Sequence, residues 1–64
     1  MEARVGTLAI GALFDTLLTG RRGVVRAQSD EETTVWLNAT ALSRVNGIKT
    51  LHPDVRVRVV EVTH

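Results

Sequence analysis

The sequence predicts a small, mainly β domain, a barrel of about five short strands. The chain has 64 residues and a mass of 7.0 kDa, which suffices for one domain over residues 1–64 with a lean core. Twenty residues are the β-branched Val, Thr or Ile, which pack well on a pleated sheet and lose rotamer freedom in a helix. Turn signals divide the chain at residues 20–23, 29–32, 46–47 and 52–54.

The first segment fits two structures. Its apolar residues have the i, i+3, i+4, i+7, i+8 spacing of an amphipathic helix: Ile10, Leu13, Phe14, Leu17 and Leu18. This spacing gives an α+β alternative with an N-terminal helix over 8–19. Against the helix, Gly11 costs about 1 kcal/mol in a helix interior, and Asp15 and Thr16 alone supply a polar face. We therefore expect a strand that resumes after Gly11 and runs from Leu13 to Leu18.

The middle of the chain predicts a hairpin. Two segments, Gly23 to Gln28 and Thr33 to Leu37, flank a polar tip at Ser29 to Glu32. Because side chains alternate along a strand, Val35 is expected on the core side and Trp36 on the opposite side.

A second hairpin is predicted at Asn46-Gly47, a dipeptide typical of two-residue β-turns. The alternative is a short helix over 39–45, with Asn38 as its N-cap and Gly47 near its end. The residues themselves leave both open, and we take the hairpin as the working prediction.

The C-terminal segment is the clearest strand. Valine and arginine alternate strictly in Val55-Arg56-Val57-Arg58-Val59, so the valines share one face and the arginines the other. The phase reverses at Val60, which predicts either a bulge near Val59-Val60 or an outward-facing Val60.

We expect the strands to close into a barrel, because closure removes the exposed edges of a small sheet. The expected core is aliphatic, since the chain has one Trp, one Phe and no Tyr. It comprises Val25, Val35, Leu37, Val55, Val57 and Val59, with Leu13, Phe14 or Leu17. A core of this size leaves a net stability of only about a few kcal/mol after chain entropy, which favours a homo-oligomer.

Composition excludes several classes of protein. The absence of Cys rules out a disulfide framework and a zinc–thiolate site. A net charge of +1 is too balanced for a polybasic tail or an acidic mimic. The longest apolar stretch, Leu8 to Leu18, is shorter than the roughly 20 residues of a membrane span. We therefore expect an intracellular, cytoplasmic protein with no membrane contact.

Three stretches resemble a KOW-type element: Ile10-Gly11-Ala12-Leu13-Phe14, Thr19-Gly20-Arg21-Arg22-Gly23-Val24-Val25 and Thr33-Thr34-Val35-Trp36-Leu37. That family has a glycine, an apolar strand, a glycine-rich basic loop, a Gly-x-Val step and a returning strand. The resemblance covers residues 10–37, under half of the chain. It implies a small, strongly bent β-barrel of the SH3-like kind that contacts RNA, RNA polymerase or ribosomal partners.

Arginines and the single tryptophan are the candidate binding residues: Arg21, Arg22, Arg26, Trp36, Arg56 and Arg58. Arg21 and Arg22 lie between two glycines, in a loop whose free N–H groups and cationic side chains suit phosphate. The alternative is a solvated turn. If Trp36, Arg56 and Arg58 project outward from neighbouring strands, they form an aromatic platform on which a base could stack for about 1–3 kcal/mol. The alternative is a Trp36 buried in the core.

No motif in the sequence predicts catalysis. It contains no P-loop, dinucleotide fingerprint or nucleophile elbow, so we expect a protein that is not an enzyme and has no cofactor or metal. His52, His64 and Asp54 form a nominal set of metal ligands. We interpret His52-Pro53-Asp54 as a turn before the last strand, because Pro presets φ and Asp accepts local backbone bonds.

Two functions are consistent with these residues. The first is a small non-catalytic binding module associated with RNA or with a transcription or translation complex, in which arginines bind phosphate and Trp36 stacks. The second is a protein-interaction or self-assembling accessory protein, for example viral or plasmid-encoded, without nucleic-acid contact. The second function predicts an apolar patch around Trp36, Val60 and Val62.

Overall fold

The structure, a computed structural model, describes residues 1–38 and 47–60. Its elements are β1 (Glu2–Arg4), a 3-10 turn (Val5–Thr7), β2 (Leu13–Thr16), β3 (Arg22–Gln28), β4 (Thr33–Leu37), β5 (Gly47–Leu51) and β6 (Arg56–Val59). The mainly β class is therefore confirmed, with six strands in the described residues instead of about five.

The strands form one antiparallel sheet in the order β1-β6-β2-β3-β4-β5. β2 to β5 form a meander, and β6 returns to pair with β2. In the part of the chain that is described, the edge strands β1 and β5 do not pair with each other, so the sheet is not closed into a barrel. The prediction of closure is wrong.

The two edge strands, β1 and β5, are protected from pairing with another sheet by features other than closure. β1 has only three residues. In β5, Lys49 lies opposite Val35, on the core side of the sheet, yet it is exposed. A short edge strand and an inward-facing charge are two devices that discourage pairing with another sheet. They remove the physical reason for which closure was expected.

The helix alternative over 8–19 is also wrong, because this segment contains β2. Within the segment Gly11 has φ +91°, a value that favours glycine and that an α-helix does not contain. The strand ends at Thr16, two residues before the expected Leu18, because the chain turns there. Gly20 N donates to Thr16 O (3.0 Å) and Arg21 N donates to Thr16 Oγ1 (2.9 Å).

The β3–β4 hairpin is confirmed with nearly the expected bounds. Ser29 closes its tip, since Ser29 Oγ accepts from Glu32 N (3.1 Å) and Ser29 N donates to Glu32 O (3.0 Å). Within the hairpin the register shifts between Val25 and Ala27, so Arg26 is an extra residue, a bulge. The bulge reverses the alternation of β3 and places Gln28 opposite the buried Thr33.

The core lies on one side of the sheet. Its buried residues are Val5, Phe14, Val25, Val35, Leu37, Val57 and Thr33. Val5 and Thr33 were not expected there. Leu13 and Val59 are half-buried. Val55 and Leu17 are 39% and 41% exposed, contrary to expectation, because Val55 precedes β6 and Leu17 follows β2.

Phe14 packs over Gly23, its partner on the neighbouring strand. A Cβ at Gly23 would lie 2.7 Å from Phe14 Cζ and 2.7 Å from Leu37 Cδ2. Both contacts are shorter than atoms tolerate. The absence of a side chain at Gly23 therefore makes the space that the largest core residue fills.

Gln28 fastens the 3-10 turn to the sheet. Its Nε2 donates to Val5 O (2.9 Å) and to Leu8 O (2.8 Å), while its Oε1 accepts from Thr33 Oγ1 (2.5 Å). Thr33 is fully buried. This side-chain amide therefore satisfies a buried hydroxyl and two carbonyls at once.

The C-terminal strand is confirmed. Val57 is buried and Arg56 and Arg58 are exposed, as the alternation predicts. The described β2–β6 pairing has no register shift, and Val60 N donates to Leu13 O (3.1 Å). Of the two alternatives for Val60, the outward-facing position therefore holds.

Of the remaining local predictions, one falls within the described residues and the others fall wholly or partly outside them. The turn at 52–54 is present, with Val55 N donating to His52 O (3.0 Å) and Asp54 N to His52 Nδ1 (3.1 Å). Gly47 begins β5, whereas Asn46 of the predicted Asn46-Gly47 turn, the helix over 39–45, Val62 and His64 lie outside the described residues. Within 1–38 and 47–60, no helix has the length and apolarity to cross a membrane.

Gly23→Ala tests the Phe14 packing. The added methyl group has no space, so we expect a loss of about 1–3 kcal/mol in the free energy of unfolding, measured with urea. Gly47→Ala is the matched control, because nothing lies within 4 Å of its Cβ position. The control is expected to change stability by less than about 0.5 kcal/mol. Equal losses in the two variants would contradict this packing.

Gln28→Leu tests the amide bridge. It leaves the Thr33 hydroxyl and two carbonyls without this partner, so we expect a loss of about 1–3 kcal/mol. Adding Thr33→Val removes the hydroxyl that is left without a partner. The double variant is therefore expected to lose less free energy of unfolding than the sum of the two single variants, by about 0.5 kcal/mol or more. Strictly additive losses in urea unfolding would show that Gln28 and Thr33 do not act together.

Candidate functional site

The side of the sheet opposite the core, called the outer face below, carries a continuous apolar row. Leu13 lies opposite Val24, Val24 opposite Trp36, and Trp36 opposite Ile48. Val60 extends this row on the β6 side through its hydrogen bond to Leu13. We call the five residues the outer row. With strands about 4.8 Å apart, it crosses five neighbouring strands over about 19 Å.

The outer row is exposed to different degrees along its length. Ile48, on the edge strand, is 60% exposed, and the other four residues are half-buried. Trp36 lies between Val35 and Leu37, which are 0% and 4% exposed on the core side. Trp36 is therefore an outer-face residue, as the alternation of β4 predicts.

A charged row runs beside the outer row, two residues along each strand. Glu2 lies opposite Arg58, Arg58 opposite Asp15, and Asp15 opposite Arg22. In the strand order β1, β6, β2, β3 the charges alternate as negative, positive, negative, positive. We call these four residues the charged row.

The Asp15–Arg22 pair has two contacts. Arg22 Nε donates to Asp15 Oδ1 at 2.6 Å, and Arg22 Nη2 lies 3.5 Å from Asp15 Oδ2. The hydrogen bond, aided by the Coulomb attraction of the carboxylate, raises the pKa of Arg22 above its ordinary value. The pair is exposed enough to remain accessible to a partner.

The predicted platform of Trp36, Arg56 and Arg58 is not assembled. Trp36 is on β4 and the two arginines are on β6, with β2 and β3 between them. Three strand intervals separate Trp36 from β6, about 14 Å across the sheet. The expectation that they lie on neighbouring strands is therefore wrong.

The phosphate loop predicted at residues 20–23 is also differently built. The N–H groups of Gly20 and Arg21 bond within the turn, to Thr16 O and Thr16 Oγ1. Arg21 is half-buried and its Nε donates to Asn38 O (2.8 Å). Arg22 pairs with Asp15. These groups hold the end of the β2–β3 hairpin together, so the loop does not present the free donors that were expected.

Three other candidate arginines are exposed: Arg26, Arg56 and Arg58. Within the described ranges, none of the three forms an ion pair. Arg56 lies opposite Arg4, which pairs with Asp54 at 3.4 Å. These three guanidinium groups are spread over β3 and β6.

A second apolar surface, not expected from the sequence, lies beside the β2–β3 turn. It is an open groove of about 490 Å³. Its lining comprises Thr16, Leu17, Leu18, Thr19, Leu51, Val55, Arg56 and Val57. Leu18 is fully exposed.

Sequence reasoning missed three members of the outer row. Leu13, Val24 and Ile48 were not candidate binding residues, although Trp36 and Val60 were expected in an apolar patch. The signal was present in the apolar pairs Leu13-Phe14 and Val24-Val25, where alternation must send one member outward.

The chemistry of metal binding finds no support in the described ranges. There, no three His, Cys, Asp or Glu side chains form a group that could hold a metal ion. His52 and Asp54 lie in the turn before β6, with His52 Nδ1 3.8 Å from Asp54 Oδ2.

Comparison with family models, curated proteins and solved structures gives no match for this chain. The resemblance to KOW-type elements and the SH3-like assignment stay predictions.

Proposed function

We propose that the protein is a non-catalytic protein-interaction module that binds through the outer face of its sheet. The observation that supports this most is the outer row, five apolar side chains contiguous across five strands. Contiguous exposed apolar surface with a polar border is typical of protein interfaces. Trp and Arg are the residue types most often central to binding. Trp36 lies in the outer row, and Arg22 of the charged row lies on the neighbouring strand.

The borders of the outer row favour protein over nucleic acid. On one side is the charged row, in which Asp15 lies between Arg58 and Arg22 and Glu2 lies on the other side of Arg58. On the other side, Ala27, Thr34 and Thr50 are small or polar. Single-stranded nucleic acid binds grooves in which cationic side chains follow the backbone past aromatic residues. The outer face offers an apolar strip with balanced charge instead.

RNA association remains the second candidate, because Arg26, Arg56 and Arg58 are exposed. Three phosphate contacts to a single strand would give a log affinity that falls with log salt at a slope of about −2. In this alternative the protein is a cytoplasmic component of a transcription or translation complex.

Photo-crosslinking in the cell that makes the protein separates the two functions. We place a benzophenone amino acid at Val24, in the middle of the outer row, and compare it with the same group at Asp30 on the β3–β4 tip. Protein adducts are expected from position 24 and not from 30, and Trp36→Thr is expected to reduce them at least about tenfold. Adducts are counted on denaturing gels and identified by mass spectrometry.

Two outcomes would contradict a protein-binding outer face. Equal yields from positions 24 and 30 would show random contact. Adducts from Val24 that ribonuclease degrades would favour RNA as the partner.

A further inference from the structure

The charged row has a property that limits which partner fits it. It reads negative, positive, negative, positive, and an alternating row with an even number of charges becomes its own complement when its direction is reversed. A two-fold rotation about an axis parallel to the strands reverses the strand order and brings a second outer face against the first. The rotation leaves positions along the strands unchanged, so charged row meets charged row and outer row meets outer row. Because the signs alternate from strand to strand, any two members of the charged row that meet across an axis between two strands have opposite charges.

We propose that the outer face binds a second copy of this chain, with the two-fold axis between β2 and β3. The proposal rests on the proposed function and names its partner. Asp15 then faces Arg22 of the second copy, and Arg22 faces its Asp15. In the outer row, Leu13 faces the second copy's Val24, and Val60 faces its Trp36. An isologous contact of this kind closes as a dimer.

The position of the axis follows from matching both rows together. An axis between β6 and β2 would match four charges of each copy, from Glu2 to Arg22. It would also leave Trp36 and Ile48 beyond the edge of the other sheet, because only β1 lies outside β6. The axis between β2 and β3 keeps Trp36 in the contact and retains the two pairs between Asp15 of one copy and Arg22 of the other, while Glu2 and Arg58 pair with no charged-row residue.

The Asp15–Arg22 pair can accommodate the additional contacts. Arg22 uses Nε and Nη2 within its own chain, and a guanidinium has five N–H donors in all. A carboxylate accepts at about four positions. Two such pairs can therefore form a four-membered arrangement in which each Asp15 accepts from both arginines.

The contact is small. Four strands about 4.8 Å apart and roughly five residues long give a footprint of about 300 Å² per copy. This is well below the roughly 800 Å² per partner of a standard interface, so we expect a weak dimer that dissociates on dilution.

Charge reversal tests the arrangement by sedimentation equilibrium. Asp15→Arg and Arg22→Asp each place like charges against the second copy, so each variant alone is expected to be monomeric where the wild type is dimeric. Mixed in equal amounts, they are expected to form a heterodimer, because both arginines of the first variant then meet aspartates of the second. Within each chain the native pair stays broken, so recovery in the mixture reports the contact between copies alone.

Asp30→Arg and Lys49→Asp are the matched controls. They change the net charge by the same amounts, from +1 to +3 and from +1 to −1, and both residues are exposed away from the outer face. Each control is expected to dimerise alone as the wild type does. Circular dichroism and urea unfolding confirm that every variant is folded before its molar mass is measured by sedimentation.

Three results would overturn the proposal. A wild type that stays monomeric up to millimolar concentration would exclude a second copy as the occupant. Adducts from Val24 to other proteins would then still support the proposed function. A dimer whose charge-reversed variants do not recover on mixing would exclude this axis. Loss of the homodimer in the control variants, with recovery on mixing, would show general charge attraction.

Discussion

Phe14 over Gly23 is the contact on which the rest of the structure depends. The side chain of Phe14 is fully buried, and its ring occupies the space that a Cβ at Gly23 would need. Because strand side chains alternate, an inward Phe14 sends Leu13 and Asp15 outward, and its pairing with Gly23 sends Val24 outward beside them. A slip of one residue would exchange the two faces of β2. The core and the two rows of the outer face therefore follow from one register.

The Arg26 bulge is the second constraint, because it divides β3 into two parts whose side chains contact different parts of the structure. Before the bulge, β3 sends Val25 into the core and Val24 to the outer row. After it, the reversed alternation turns Gln28 toward Thr33 and the 3-10 turn. If Arg26 were paired in regular alternation, with no bulge, Gln28 would face the solvent side and the turn would lose its attachment. Because of this bulge, the same strand contributes to the core and the outer row and also binds the 3-10 turn.

Local patterns in the sequence predicted local structure well. Strict alternation fixed the direction of Arg56, Val57 and Arg58, and the β3–β4 hairpin followed from two apolar segments around a polar tip. Order across the sheet was a different matter, because no local pattern shows that β6 pairs with β2. For this reason the expected neighbourhood of Trp36 and Arg58 was wrong, although the orientation of each was right.

The predictions of sheet closure and of part of the core were wrong for the same reason, because both depend on contacts between segments that are distant in the sequence. The sequence does not show that edge β5 carries an inward Lys49, or that β1 is too short to need covering. Val5 is buried because the 3-10 turn folds back on the sheet, where Val5 N donates to Val55 O (2.7 Å). Leu17 was expected in the core on periodicity alone, and it lies in a turn. Residues whose burial depends on distant segments are thus the ones that sequence reasoning missed.

The central claim is that Trp36 lies on the outer face and is covered by a second copy of the chain. As the single tryptophan, it reports its own surroundings. Acrylamide quenching of its fluorescence, measured across dilution, tests both parts of the claim. The account predicts strong quenching in dilute solution and a decrease of at least about twofold as the dimer forms, since covering excludes the quencher. Weak quenching at every concentration would place Trp36 in the core and contradict the account.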